Sequence, residues 1–185
     1  ANNDRPGVML AGAIRGYACR YGVMAGRSAV LATCHDGTYD DAIMLACLGM
    51  EITLIDARNK PSRRAKEAQA AGIDVLSGRV PVNVAGVKSV AALEIAEIDE
   101  AGEISDNTTI IGCDLVGVSG GYSPVIHLPS HLGIKPRWEA SINAFVTGKT
   151  TENIYMVGSA DGIYDHQACL DHALHVTQKI KGEKT

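Results

Sequence analysis

Two six-residue apolar runs, SAVLAT at residues 28–33 and EITLID at residues 51–56, constrain the fold more than any other feature of the sequence. Each run is too short for a helix and is bounded by turn residues, so each predicts a buried strand. Between them, apolar positions within residues 38–48 recur at helical spacing, and Gly49 follows where a helix commonly ends. This order of strand, helix and strand predicts two parallel strands joined by a crossover.

The rest of the chain extends this pattern and then departs from it. Three further helices are predicted: one at 6–20, capped by Asp4 and closed by Gly22; one at 62–71, opened by Pro61 and stopped by Gly72; and one from about 161 to 180. Further strands are predicted at 73–76, 80–84, 89–98, 108–119 and 153–157, with a turn at 100–103. Residues 179–184 are predicted to form a solvated tail. The strands between 80 and 119 have no helix between them, which predicts an antiparallel meander. The expected fold class is α/β: a Rossmann-like three-layer domain with a parallel sheet plus an antiparallel β-meander, and a C-terminal strand-helix return segment.

Charge and composition exclude several classes of partner. The formal net charge of −4 gives no basic footprint for a nucleic-acid backbone. No apolar run is long enough to span a bilayer, and residues 1–5 lack the basic-then-apolar order of a signal peptide. The five cysteines are scattered without a CxxC pair, so reduced thiols are expected. We therefore expect a cytoplasmic protein with no nucleic-acid or membrane partner.

The first candidate site is the turn TCHDGT after the first long strand. In a dinucleotide-binding βαβ unit this turn carries three glycines, which let the pyrophosphate approach the amides of the helix N-terminus. Counting back from Asp56, those positions fall at Thr33, His35 and Thr38, so all three glycines are replaced. Asp36 adds negative charge to the turn, while Asp56 has the correct spacing for the acid that binds a ribose. The alternatives are NAD or FAD bound at these residues and a degenerate turn without a ligand.

Two further glycine motifs are candidate cofactor-binding positions. Gly120 and Gly121 follow a strand, where paired glycines permit the close approach of a ligand or of a neighbouring domain. Gly158 and Asp161, in NIYMVGSADG, lie between a predicted strand and a helix start, a position suited to an anion or a ribityl hydroxyl. The structural alternatives are a plain strand exit for the first motif, and a helix cap by Ser159 or Asp161 for the second.

The last predicted helix carries a run of potential metal ligands at intervals of three, namely His166, Cys169, His172 and His175. Residues at this spacing drift around a helix, so no more than two of them could share an ion. We predict no metal site, and we assign no catalytic residue.

Three strings in the chain resemble the α subunit of heterotetrameric sarcosine oxidase: NNDRPGVMLAGAIRGYACRYG, CDLVGVSGGYSPVIHL and NIYMVGSADG. The order of the elements also resembles the second half of the thioredoxin-reductase-like two-dinucleotide fold, in which a nicotinamide-binding domain is inserted into a flavin-type domain. The resemblance implies an N-terminal helix and linker at 1–26, a degenerate nicotinamide-dinucleotide-type domain at 27–112 and a flavin-type return segment at 113–185. Ser159 stands where an acid usually follows the glycine of a flavin-binding GD motif, and Asp161 is the nearest acid.

The resemblance also implies a function for a longer protein. Its members carry out oxidative demethylation of sarcosine, with oxygen as acceptor and tetrahydrofolate taking up the one-carbon unit, in an assembly that carries FAD, FMN and NAD. We expect this chain to be a central fragment that is inactive alone, and its partners to be other sarcosine oxidase subunits and missing parts of the same subunit. The alternatives are an NAD-dependent oxidoreductase domain, with Asp56 on the ribose and His35 near the nicotinamide, and a subunit of a related amine or opine dehydrogenase complex.

Overall fold

The computed structural model describes residues 1–60, 62–150 and 153–182, and the chain forms two compact units, Ala1–Gly121 and Tyr122–Thr185. Pro61, the predicted opener of a helix, and Lys184, in the predicted tail, lie outside the described residues. The two units are treated one at a time below.

The first unit is built on a five-stranded parallel sheet. Its strands are β1 (Val8–Leu10), β2 (Ser28–Thr33), β3 (Glu51–Asp56), β4 (Asp74–Ser77) and β8 (Leu115–Ser119), in the spatial order β1-β8-β2-β3-β4. Strands β2 and β3 have the predicted bounds and pair in parallel along all six residues, from Ser28 opposite Glu51 to Thr33 opposite Asp56. The predicted strand-helix-strand unit is therefore confirmed.

Helices and a second sheet cover the two faces of β2. The helices are α1 (Ala11–Tyr21), α2 (Gly37–Cys47) and α3 (Arg63–Ala70), and the antiparallel sheet consists of β5 (Arg79–Ala85), β6 (Ala92–Ile98) and β7 (Ile104–Gly112). Leu31 packs in the cluster that contains the helices, whereas Val30 packs in the cluster that contains the meander. Alternate residues of one strand thus fill two separate cores, which is the expected three-layer α/β arrangement.

Two predicted elements of the first unit are wrong in their extent. The predicted helix at 6–20 begins only at Ala11, because residues 8–10 instead form β1, which pairs with β8. The predicted strand at 108–119 is two strands: β7 closes the meander, and β8 enters the parallel sheet between β1 and β2. A break at Cys113 and Asp114 separates the two strands.

The compact units differ from the domain boundaries expected at 26/27 and 112/113. Both β1 and β8 bond within the sheet that contains β2, so residues 1–26 and 113–121 belong to the first unit. The assignment of residues 27–112 to a nicotinamide type and of residues 113–185 to a flavin type stays a prediction.

The second unit contains α4 (His127–His131), a hairpin of β9 (Arg137–Glu139) and β10 (Ala144–Val146), a 3-10 turn (Gly158–Asp161) and α5 (His166–Gly182). The strand predicted at 153–157 is wrong, because residues 154–157 pair with no strand among the described residues. None of the side chains of α5, all of which are described, is buried. Within the described ranges, no helix combines the length and the apolar character needed to cross a bilayer.

We expect Gly117→Ala to destabilise the first unit by about 1–3 kcal/mol, as for overpacking of a core. A Cβ on Gly117 would lie 2.5 Å from Leu31 Cδ2 and 2.8 Å from Ile14 Cδ1, and both side chains are fully buried, so α1 would be pushed away from β8. The matched control is Gly112→Ala on β7, where an added Cβ meets no atom within 4 Å. Urea unfolding followed by circular dichroism measures both; equal losses would refute the close packing of α1 on β8.

Candidate functional site

The carboxyl ends of three neighbouring strands meet at one edge of the parallel sheet. Thr33, the last residue of β2, lies opposite Asp56 of β3 on one side and opposite Ser119 of β8 on the other. From β2 the chain continues to β3 and β4 on one side, whereas β8 lies parallel to β2 on its other side. The crevice between β2 and β8 is therefore the switch point, where the order of the strands reverses. Open parallel α/β sheets bind their ligands at this place.

The three residues that replace the predicted glycines are joined to one another. The Thr33 and Thr38 hydroxyls lie 2.8 Å apart, and both residues are buried. The Thr33 hydroxyl also donates to the carbonyl of His35 at 3.0 Å and accepts from its amide at 3.2 Å. The turn is therefore held closed by side chains at the positions where a dinucleotide-binding turn leaves the backbone open.

The imidazole of His35 lies across the crevice. Its Nε2 is 2.8 Å from the Ser119 hydroxyl, and its Nδ1 accepts from the Gly37 amide at 3.2 Å. Because Nδ1 is an acceptor, the neutral ring carries its proton on Nε2 and donates it to Ser119. In this tautomer the ring cannot remove the hydroxyl proton, so the pair links β8 to the turn and does not activate Ser119. Burial, followed by the nearby charge of Arg58, lowers the pKa of His35 below its ordinary value.

The Asp56 carboxylate is completely buried, with a relative exposure of 0%. Its Oδ1 accepts from the Arg58 amide at 2.9 Å and from Arg58 Nε at 3.0 Å. Its Oδ2 accepts from the Tyr39 hydroxyl and from Arg58 Nη2, each at 2.7 Å. A carboxylate offers about four acceptor positions, and here all of them are filled by the chain itself.

The same Arg58 Nη2 also donates to Asp36 Oδ1 at 2.7 Å, so one guanidinium bridges the turn and the end of β3. Hydrogen bonding to Asp56, chief among several causes, raises the pKa of Arg58. Burial opposes the ionisation of Asp36, but hydrogen bonds from Arg58 and Ser62 outweigh it and lower the pKa of this carboxyl. Burial and the bond to Asp56 raise the pKa of Tyr39. Arg58 stays cationic and Tyr39 stays neutral at physiological pH.

The glycines after β8 leave open space around them. A Cβ built on Gly120 or Gly121 would meet no heavy atom within 4 Å, and Gly121 has a φ of +111°. The predicted role of Gly120 and Gly121 in close approach of a ligand is thus sterically open and stays a prediction.

In the second unit, Gly158 and Asp161 occupy the two ends of the 3-10 turn. The Gly158 amide donates to His172 Nδ1 at 3.4 Å, and His172 Nε2 lies 3.9 Å from Asp161 Oδ2. Asp161 also lines an open cavity of about 180 Å³, together with Thr147 and Tyr155 among others. The Thr147 hydroxyl is buried and has no hydrogen-bond partner among the described residues, and buried polar groups in folded proteins are seldom left in this state.

The residues predicted as possible metal ligands have separate contacts. His172 faces the 3-10 turn, and Cys169 Sγ donates to the carbonyl of Ile163 at 3.0 Å. Across the described ranges, no group of three or more His, Cys, Asp or Glu residues could hold a metal ion.

Sequence reasoning did not identify several residues that define these sites: Tyr39, Arg58, Ser119, Thr147 and His172 as a partner of Gly158. Arg58 could have been noticed, since it follows Asp56 by two residues and an arginine there can fold back on the strand-end acid. Ser119 depends on β8 lying beside β2, a neighbour relation that no local pattern encodes.

The sequence is similar to curated sarcosine oxidase α subunits. It is 39% identical over 171 residues to the subunit from Corynebacterium sp. (strain P-1), covering 91% of this chain and 18% of the relative. Its identity to the subunit from Rhizobium meliloti (strain 1021) is 34% over 172 residues, covering 91% of this chain and 16% of the relative. The resemblance expected from the sequence is confirmed, and the chain spans 16–18% of the length of these relatives. No protein-family model matches the chain.

Solved structures share the fold at low sequence identity. A thioredoxin reductase from Lactococcus lactis matches with a TM-score of 0.63 and 18% identity, covering 83% of this chain and 52% of that one. A bacillithiol disulfide reductase from Staphylococcus aureus matches with a TM-score of 0.59 and 18% identity, covering 86% and 52%. The expected likeness to the thioredoxin reductase fold is confirmed.

We expect His35 to contribute stability that is lost in mild acid. The folded protein lowers the pKa of His35 below 6.5, so below that pH the unfolded chain binds more protons at this residue. The contribution is complete above about pH 6.5 and disappears as the pH falls through the folded pKa. Urea unfolding of the wild type and His35→Gln from pH 7.5 to 5 should show the difference shrinking with acidity. A difference between the wild type and His35→Gln that stays constant over this range would refute the assignment.

Proposed function

We propose that this chain forms one segment of the α subunit of a sarcosine oxidase, and that the longer protein oxidises sarcosine with oxygen and passes the one-carbon unit to tetrahydrofolate. The observation that carries the proposal is sequence identity of 34–39% over 91% of the chain to three curated α subunits of that enzyme. The segment itself is proposed to be structural and inactive alone, since the Ser119 hydroxyl next to His35 is not activated.

The proposed assembly carries FAD, FMN and NAD, and the two units differ in how well their residues suit such groups. In the second unit, the Asp161 carboxylate and the Thr147 hydroxyl, which has no partner among the described residues, suit a ligand rich in hydroxyls, such as a ribityl or ribose chain. Thr147 and Asp161 would hold its hydroxyls, whereas Gly158 is buried and its amide already donates to His172. When bound, a flavin supplies the two-electron acceptor for oxidation of a carbon–nitrogen bond. In the first unit, Thr33, His35 and Asp56 are already bonded within the chain.

The proposed partners are the remaining parts of the subunit and the other subunits. In the second unit large apolar side chains are exposed, including Leu128 at 77% and the edge-to-face pair Trp138 and Phe145, each at 53%. Two further large apolar side chains, Leu170 and Leu174, are exposed on α5. Surfaces of this kind mark contacts with other protein surfaces. A cytoplasmic location remains part of the proposal, and it suits the five cysteines, all of which lie in the described residues as free thiols.

The alternative of an NAD-dependent oxidoreductase domain needs a free carboxylate on Asp56. The five hydrogen bonds to this carboxylate from Arg58 and Tyr39 weigh against it. The other alternative, a related amine or opine dehydrogenase complex, differs from the proposal in the substrate that the complex oxidises.

The proposal predicts that this chain can replace the matching segment in the α subunit from Corynebacterium sp. (strain P-1) without loss of sarcosine oxidation. Oxygen consumption by the reconstituted complex is measured with sarcosine and, separately, with proline and an opine. Sarcosine should be the preferred substrate. A folded, assembled chimera that oxidises only another secondary amine would refute the proposed substrate.

In the same chimera, Thr147→Val should weaken retention of a dinucleotide about 2- to 13-fold, the effect of one lost neutral hydrogen bond of about 0.5–1.5 kcal/mol. Dinucleotide content per complex, read by absorbance after denaturation, gives the result. The matched control is Thr177→Val on α5, whose hydroxyl donates to the carbonyl of Ala173. If both variants retain dinucleotide equally, Thr147 does not bind it.

A further inference from the structure

We infer that the crevice at the switch point of the parallel sheet no longer takes a dinucleotide, because the guanidinium of Arg58 and the imidazole of His35 have become its permanent internal ligands. The inference goes beyond the proposed function and does not depend on the identity of the substrate. It concerns Thr33, His35, Asp36, Thr38 and Asp56. These residues are assigned to a network of hydrogen bonds within the first unit.

A dinucleotide needs three things at this edge: free amides at the helix start, uncovered backbone and a free carboxylate for the ribose. The first amide of α2, on Gly37, is bonded to His35 Nδ1. The backbone at the two outer glycine positions is covered by the bonded hydroxyls of Thr33 and Thr38. The carboxylate of Asp56 has every acceptor position filled.

The helix start also has carboxylates of the chain where a phosphate would bind. Asp36 lies directly before α2, and Asp40 lies in its first turn, so the positive end of the helix dipole faces carboxylates of the chain itself. Both carboxylates already have a cation of the chain: Arg58 Nη2 lies 2.7 Å from Asp36 as well as from Asp56, and Arg64 Nη1 lies 3.5 Å from Asp40. A pyrophosphate brought here would have to compete with these carboxylates for the two arginines and for the start of the helix.

Removing the internal ligand to admit another one would be costly. Asp56 is fully buried, and a buried carboxylate that loses its cation keeps the full cost of desolvation. The ribose hydroxyls of a dinucleotide are neutral and cannot replace the charge of a guanidinium. Arg58 therefore occupies the ribose position as a matched ion, in a planar, multidentate geometry that arginine makes and lysine does not.

The test uses the chain as it is and follows the crevice directly. Amide resonances of Gly37, Arg58 and Ser119 are recorded by NMR while NAD, NADH or FAD is added to millimolar concentration. These resonances should not shift. A saturable shift at these three amides would overturn the inference, whereas shifts confined to residues 147–161 would locate any binding in the second unit and leave it intact.

A chemical rescue provides the second measurement. Arg58→Gly should lower the thermal midpoint by roughly 5 °C or more, since it leaves Asp56 buried and unpaired. Ethylguanidinium at millimolar concentration should recover at least half of that loss, because it can enter the vacated position. The matched control is Arg79→Gly, whose partner Glu97 is 66% exposed, so the loss of this arginine should be neither as destabilising nor rescued. A loss no larger than that of the control, or failure of ethylguanidinium to raise the midpoint of Arg58→Gly, would contradict the role of Arg58 as an internal ligand.

Discussion

Strand β2 is the constraint on which the first unit depends, since it is hydrogen-bonded on both edges and covered on both faces. It pairs in parallel with β3 and with β8, and its residues alternate between the helical core and the meander core. A strand in this position has no exposed side, so every residue must be apolar or bonded to the chain. Its last residue, Thr33, meets this requirement through Thr38 and His35.

The sequence predicted the elements whose signal is local. The bounds of β2 and β3 followed from apolar runs between turns, and α2 was placed within one residue at each end. The signal failed where strand identity depended on distant pairing. Residues 108–119 look like one continuous β-rich run, yet only the fold separates β7 from β8 and sends them to different sheets. Residues 8–10 were similarly hidden inside a helical pattern, because pairing with β8 outweighed local propensity.

The position of the candidate site could be predicted from the sequence, but its hydrogen-bond partners could not. Spacing identified the turn after β2 and the acid at Asp56, and the structure brings them together at one edge of the sheet. The spacing could not show that Arg58 and Tyr39 would donate hydrogen bonds to the Asp56 carboxylate, because such contacts depend on geometry in three dimensions. In the second unit, the buried Thr147 hydroxyl, which has no partner in the described part of the chain, had no signature in the sequence. The absence of glycine was informative, but the replacement network was visible only in the fold.

The linked bonds around Arg58 have a consequence for how such a turn can change over time. Replacing His35 alone with glycine leaves the Arg58 guanidinium bonded to Asp56. Losing Arg58 alone leaves the negative charge of Asp56 buried and unpaired. Each single step away from the network lowers stability before any nucleotide can compensate. A single substitution is therefore not enough to open this turn to a nucleotide, and several of these residues would have to be replaced together.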